Sequence, residues 1–86
     1  MDQPVDEKIL RQKLEMWSKK VPQLEKEYEE TMVARGEAAR EGDLRENAEY
    51  QMLTEKGEFI SAQIGNTKKI IVELKSQLGE DMAEVA

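Results

Sequence analysis

The amino-acid sequence predicts an all-α fold, a long antiparallel two-helix coiled-coil hairpin with an acidic tip. Two apolar seams with coiled-coil spacing follow one another along the chain, and a glycine-containing turn signal stands between them. Charged residues make up 37% of the 86 residues and hydrophobic residues 38%, with five glycines and two prolines. This balance is typical of a helical protein with a large surface rather than of a sheet protein.

The first predicted helix runs from about residue 6 to residue 41. Its apolar residues recur in alternating steps of four and three, which is the spacing of the a and d positions in a coiled coil. These seam residues are Leu10, Leu14, Trp17, Val21, Leu24 and Tyr28. Pro22 lies inside the run, and we expect a bend there rather than a break, because proline removes one amide donor.

The second predicted helix runs from about Leu44 to Leu78 and carries a seam with the same spacing. Its seam residues are Tyr50, Leu53, Gly57, Ile60, Ile64, Thr67, Ile71, Leu74 and Leu78. Gly79 predicts the end of this helix, because glycine is enriched just after helix ends. The predicted hairpin domain therefore spans residues 1–79, and residues 80–86 are expected to form a tail or a linker.

The two seams fit each other when one of them is reversed. Leu10 then lies opposite Leu78 and Leu24 opposite Ile64, and the residue numbers of every such pair add to 88. A constant sum is what antiparallel pairing requires, and it places the fold-back at residue 44. Residues 42–47 are thus the predicted tip.

The predicted tip also contains turn and helix-start signals. Gly42 can take the left-handed conformation that ends a helix, and Asp43 with Glu46 three residues later resembles a capping box. The two carboxylates would share one side of the first helical turn. One interpretation is that they only cap the helix. The other is that they complete a Mg²⁺ site, since Mg²⁺ usually takes one or two protein carboxylates and fills its remaining positions with water and substrate phosphates.

Composition excludes several classes of function. The chain has no Cys and no His, which removes disulfides, thiolate nucleophiles, imidazole bases and the usual zinc sites. A chain this short does not enclose a substrate pocket in a thick core, so we do not expect an autonomous enzyme. No apolar run approaches the roughly 20 residues that span a bilayer, and the first residues do not resemble a signal peptide. A cytoplasmic protein without a membrane partner is expected.

The acidic residues are concentrated around the predicted tip. Residues 25–58 carry a formal charge of -6, and the rest of the chain is neutral. An acidic distal half repels a nucleic-acid backbone, so independent binding to DNA is not expected.

The segment from Gly42 to Tyr50 reads Gly-Asp-Leu-Arg-Glu-Asn-Ala-Glu-Tyr. It resembles the tip motif of the bacterial Gre transcript-cleavage factors, whose amino-terminal domain is an antiparallel helical hairpin. The resemblance implies that the hairpin enters the secondary channel of RNA polymerase and stimulates the polymerase's own cleavage of backtracked RNA near its 3′ end. Asp43 and Glu46 would help to hold a second Mg²⁺ and its attacking water. That Mg²⁺ would be shared with the polymerase and not bound by the isolated chain.

The resemblance also suggests roles for the other tip residues. Arg45 would contact RNA or the channel wall, although a solvated charge at a helix start explains it equally well. Leu44 would be exposed at the turn and available for the same contacts. Tyr50 is expected to pack against Ala38. The residues that match the motif as structural parts of the tip are Gly42, Asn47, Ala48 and Tyr50.

Two alternatives remain open at this point. The chain could bind the polymerase channel and regulate it without promoting cleavage, or it could be a coiled-coil interaction module in which Asp43 and Glu46 only cap a helix. Gre factors normally carry a carboxy-terminal domain, and this sequence ends where that domain would begin. We therefore expect an excised hairpin domain or a standalone relative. Self-association through the apolar base is also expected, because a two-helix hairpin buries only one stripe on each helix.

Overall fold

The computed structural model describes residues 7–41 and 47–79, which form two long helices. Helix α1 spans Glu7–Arg40 and has 34 residues, and helix α2 spans Ala48–Leu78 and has 31 residues. Neither described range contains a strand. The helices pack along their length into an elongated body of 62 × 27 × 16 Å. The predicted all-α helical hairpin is confirmed.

The predicted seams form the contact between the helices. The most buried side chain is that of Ile60, which is 2% exposed. The buried residues of α2, Gly57, Ile60, Thr67 and Leu74, all belong to its predicted seam. On α1, Leu10 and Leu24 belong to the predicted seam, and Thr31 and Ala38 continue its spacing toward the second helix's start, where the constant sum of 88 pairs them with Gly57 and Tyr50. Seam residues between them, such as Trp17 and Ile71, are half-buried. A single apolar stripe on each helix therefore makes up the core.

Contacts between the helices agree with the predicted antiparallel register. The constant sum of 88 pairs Arg35 with Leu53, and in the structure the Arg35 side chain reaches Thr54 and Tyr50. These two residues lie one position after Leu53 and one helical turn before it. The register is therefore correct to within a turn.

Antiparallel packing gives the rod two different ends. The start of α1 and the end of α2 lie together at one end, which we call the base. Residues 41–47 join the helices at the other end, which we call the apex. Neither of the two described helices is long and apolar enough to cross a membrane.

Residues that disfavour helix do not interrupt either helix. Helix α1 continues through Pro22 without a break, as expected from the seam that resumes after it. Helix α2 continues through Gly57, where the glycine allows a close approach of the two helices. A Cβ atom at Gly57 would overlap the terminal methyl group of Met32 and would touch the ring of Tyr28.

Gly79 ends helix α2 as the sequence predicts. Its φ of 79° lies in the left-handed region, which glycine adopts without the steric penalty of a Cβ atom. Its amide donates to the carbonyl oxygens of Lys75 and Ser76. Carbonyl groups that lack a partner in the last helical turn are satisfied in this way.

The start of helix α2 differs from the prediction. The helix begins at Ala48 and not near Leu44, because Asn47 takes the N-cap position with an extended backbone at φ −86° and ψ 92°. The predicted capping role of Asp43 lies outside the described residues. The link between the helices, residues 41–47, is nevertheless centred on residue 44, where the seams placed the fold-back.

Candidate functional site

The candidate site lies at the apex, where the end of α1 and the start of α2 lie close together. Five of the residues predicted to act there, Gly42 to Glu46, lie outside the described residues. The structure describes the surfaces that support them, which are the last turn of α1, Asn47 and the first turns of α2. Of the predicted structural residues at the tip, Asn47 and Tyr50 are half-buried, and Ala48 is exposed as the first residue of α2.

Asn47 connects the two helices through its side-chain amide. Its Nδ2 donates a hydrogen bond to the carbonyl oxygen of Ala38 on α1, at 2.6 Å. Its Oδ1 accepts a hydrogen bond from the backbone amide of Tyr50 on α2, at 2.9 Å. The first bond satisfies a carbonyl near the end of α1, and the second satisfies an amide in the first turn of α2. One side chain thus caps both helices.

The end of α1 is arranged around the same carbonyl group. The amide of Glu41 donates to the Ala38 oxygen at 3.2 Å, which closes the last turn of the helix. Ala38 is 3% exposed, so its oxygen receives both donors in a protected position. The small alanine side chain lets the polypeptide at Asn47 come within hydrogen-bonding distance of α1.

A second cross-helix contact lies one turn closer to the base. The guanidinium carbon of Arg35 lies 5.4 Å from the centre of the Tyr50 ring, a cation–π geometry. Its Nη1 also approaches the Thr54 hydroxyl oxygen at 3.4 Å, and that hydroxyl donates to the Tyr50 carbonyl at 3.0 Å. A charged residue therefore occupies a seam position near the apex, where it links α1 to α2.

The sequence interpretation missed the roles of Asn47 and Arg35. Asn47 was recognised only as part of the motif, although asparagine is among the most favoured N-cap residues. Arg35 stands where an apolar residue is usual in a coiled-coil seam, and polar residues at such positions commonly specify register. Both signals are present in the sequence. The partner of each side chain becomes known only when α1 and α2 are placed together.

Charge is divided sharply along the rod. The described distal residues, 25–41 and 47–63, contain nine acidic and four basic side chains, a net charge of −5. The described base residues, 7–24 and 64–79, contain three acidic and eight basic side chains, a net charge of +5. The full sequence outside residues 25–58 is neutral, because that count also includes the acidic residues of both chain ends. Electrostatic repulsion of nucleic acid thus applies to the distal half.

The described residues do not form a metal site by themselves. No group of three or more His, Cys, Asp or Glu side chains is placed to hold a metal ion within residues 7–41 and 47–79. The residues predicted to share Mg²⁺ with a partner, Asp43 and Glu46, lie between these ranges. Their role as metal ligands stays a prediction.

A comparison with known protein families covers most of the hairpin. The family model for the amino-terminal region of GreA and GreB, described as "Transcription elongation factor, N-terminal", matches residues 8–79. The matched region covers α1 from its second residue, the segment between the helices and all of α2, and it ends at Gly79. No curated protein and no solved structure matches the chain significantly.

Proposed function

The chain belongs to the family of transcription elongation factor amino-terminal domains, and from this we propose that it acts on RNA polymerase by stimulating the cleavage of backtracked RNA. In this proposal the hairpin enters the secondary channel of the polymerase with its apex leading. The polymerase carries out the cleavage, and the chain supplies two carboxylates. The family match over both helices and the apex is the observation that carries the proposal.

The shape of the molecule supports this mode of action. The rod is 62 Å long and its cross-section is 27 × 16 Å, so the apex can reach a site that is distant from the base. The continuous helices resist bending better than a loop of the same length, since their backbone hydrogen bonds are made internally. A carboxylate carried at the apex is thereby presented far from the base.

The chemistry proposed for the apex needs groups from both molecules. Asp43 and Glu46 would provide oxygen ligands to Mg²⁺, and the polymerase and its RNA would provide the others. Such a shared ion would lower the pKa of a bound water and would orient it toward the phosphodiester, as metal ions do in related reactions. Two carboxylates alone bind Mg²⁺ weakly, so the proposal does not require the isolated chain to hold the ion.

Neutral, nearly isosteric substitutions test the two carboxylates. Asp43→Asn and Glu46→Gln remove one charge each and keep the side-chain size. We expect each variant to slow Mg²⁺-dependent shortening of RNA in stalled polymerase complexes by about 10- to 100-fold, because each replaces an anionic oxygen ligand by a neutral amide oxygen that binds Mg²⁺ more weakly. Helicity measured by circular dichroism should stay unchanged. Release of labelled RNA fragments from backtracked complexes measures the effect.

Glu49→Gln is the matched control, because Glu49 is an exposed carboxylate on the first turn of α2 and loses the same charge. It should retain full stimulation of cleavage. Full stimulation by both Asp43→Asn and Glu46→Gln would reject the proposed carboxylate roles. Binding of the unaltered chain to polymerase without any cleavage would favour the alternative of a non-cleaving channel regulator.

A further inference from the structure

We propose that Asn47 is a positioning residue for the apex, which locks the end of α1 to the start of α2 and thereby holds the two points between which the segment with Asp43 and Glu46 is attached. The inference deepens the proposed function and rests on it. It assigns the relative position of the two helix ends to one side chain, and in the proposed mechanism that side chain contacts neither Mg²⁺ nor RNA.

The geometry that carries this inference is the double hydrogen bond of one planar amide. Nδ2 and Oδ1 of Asn47 are held rigidly in one group, and they bind the Ala38 carbonyl of α1 and the Tyr50 amide of α2. A shift of either helix end relative to the other breaks one of these bonds. An ordinary N-cap makes only the second bond and leaves the neighbouring helix unrestrained.

The location of the contact makes it important for the apex. Glu46 is directly bonded to Asn47 in the chain, and residues 41–46 run between Asn47 and the last residue of α1. Fixing Asn47 against Ala38 therefore fixes the two described ends of this segment relative to each other. The Arg35–Tyr50 contact lies a turn closer to the base and restrains the helices there. Without Asn47 the hairpin loses the cross-helix hydrogen bond that lies nearest the apex among the described residues, and helix ends are the parts that fray.

Two substitutions separate the cross-helix bond from ordinary helix capping. Asn47→Asp keeps an oxygen that accepts from the Tyr50 amide, but its carboxylate cannot donate to the Ala38 carbonyl. Asn47→Ser also keeps an oxygen cap of similar preference. Its hydroxyl oxygen is one atom on a shorter side chain, so it would have to serve the Ala38 carbonyl and the Tyr50 amide from a single position, whereas Asn47 uses two separate atoms. Asn66→Asp makes the same charge change at an exposed position of α2 and serves as the control.

The position of the helix ends can be measured without any polymerase. The chain contains no cysteine, so Glu37→Cys and Glu49→Cys introduce a unique pair of labelling sites, both exposed, one near the end of α1 and one near the start of α2. Distances between spin labels on this pair should form a narrow distribution in the otherwise unaltered chain and with Asn66→Asp. They should broaden with Asn47→Asp and with Asn47→Ser, while circular dichroism shows the same helix content.

Cleavage kinetics provide the functional measurement. For Asn47→Asp and Asn47→Ser we expect the maximal rate of RNA cleavage to fall on the order of 10- to 100-fold, since small misplacements of reacting groups have effects of this size. The concentration of chain that gives half-maximal stimulation should stay unchanged. A residue that only stabilised the fold would instead change the helix content or the half-maximal concentration.

The two proposals can fail separately. If both Asn47 variants give the parental maximal rate, or the parental distance distribution, the positioning role is wrong while the proposed function stands. If the parent chain itself gives no cleavage, the proposed function is wrong, and the distance distributions alone decide whether Asn47 fixes the apex.

Discussion

Ile60 shows how much the hairpin depends on single seam side chains. Its side chain is 2% exposed, and it is the most completely buried large residue in the described part of the chain. A hairpin has only one stripe of such residues on each helix, so few neighbours can move to fill a space that is left by truncation. Each buried seam residue therefore contributes a large share of a modest total stability.

Truncation of Ile60 should destabilise the fold strongly. We expect Ile60→Ala to lower the free energy of unfolding by about 2–5 kcal/mol, and the milder Ile60→Val to lower it by about 0.5–1.5 kcal/mol. Val72→Ala is the control, because Val72 is 58% exposed and should change the free energy by no more than about 0.5 kcal/mol. Urea unfolding followed by circular dichroism at low temperature measures all three. Equal losses for Ile60→Val and Val72→Ala would contradict the assigned core.

At the scale of elements, the helices were predictable because their signal is repeated many times. Each seam residue repeats the same spacing, so one unfavourable residue such as Pro22 or Gly57 does not hide the pattern. The antiparallel register was predictable for the same reason, since two periodic patterns match in only a few alignments. The end of α2 at Gly79 follows from one residue whose backbone preference is distinctive.

The start of α2 was not predictable with the same certainty, because two cap signals compete within five residues. Asp43 with Glu46 is a helix-start pattern, and Asn47 is an equally favoured cap. Local sequence does not rank them. Asn47 has a further bond to the Ala38 carbonyl of the other helix, and this tertiary contact distinguishes the observed start. The roles proposed for Asp43 and Glu46 came from the resemblance of the tip motif, not from physical pattern alone, and they stay predictions.

The interior glycines of the helices should differ in their response to substitution. Gly36→Ala should stabilise the chain by up to about 1 kcal/mol, because alanine favours helix and nothing lies within 4 Å of the added Cβ. Gly57→Ala should stabilise it less or destabilise it, because the added Cβ overlaps the Met32 methyl group. Thermal unfolding of the two variants, side by side, provides the comparison. An equal gain from both would show that Met32 moves away at no cost.

The whole molecule is far more extended than most chains of its length. Its Cα radius of gyration is 18.6 Å, whereas a compact domain of this size has a radius of about 12 Å. A narrow rod exposes both flanks of each helix, which explains why several large apolar side chains are more than half exposed. These exposed residues are Met16, Val33, Met52, Phe59 and Val72.

Small-angle X-ray scattering in dilute solution tests the shape. A monomeric rod should give a radius of gyration near 19 Å and a pair-distance distribution with a long tail, because mass is spread along one axis. A value near 12 Å would contradict the hairpin. Sedimentation at increasing concentration should reveal whether the chain self-associates through its base, which was expected from the sequence and stays a prediction.

Ionic contacts contribute little to holding the rod together. The ion pair between Glu25 and Lys68 joins the two helices at 3.7 Å, and both side chains are more than half exposed. Such a pair contributes roughly 0–1 kcal/mol and is screened by salt. The negative net charge of the distal half therefore matters more for orientation in an external field than for folding.

Because α1 starts and α2 ends at the base, both described ends of the rod face the same direction. A fluorophore, affinity tag or surface tether attached at the start of α1 or at the end of α2 would lie at the end opposite the apex, up to 62 Å away. The hairpin can thus be immobilised through its base with the apex projecting freely into solution.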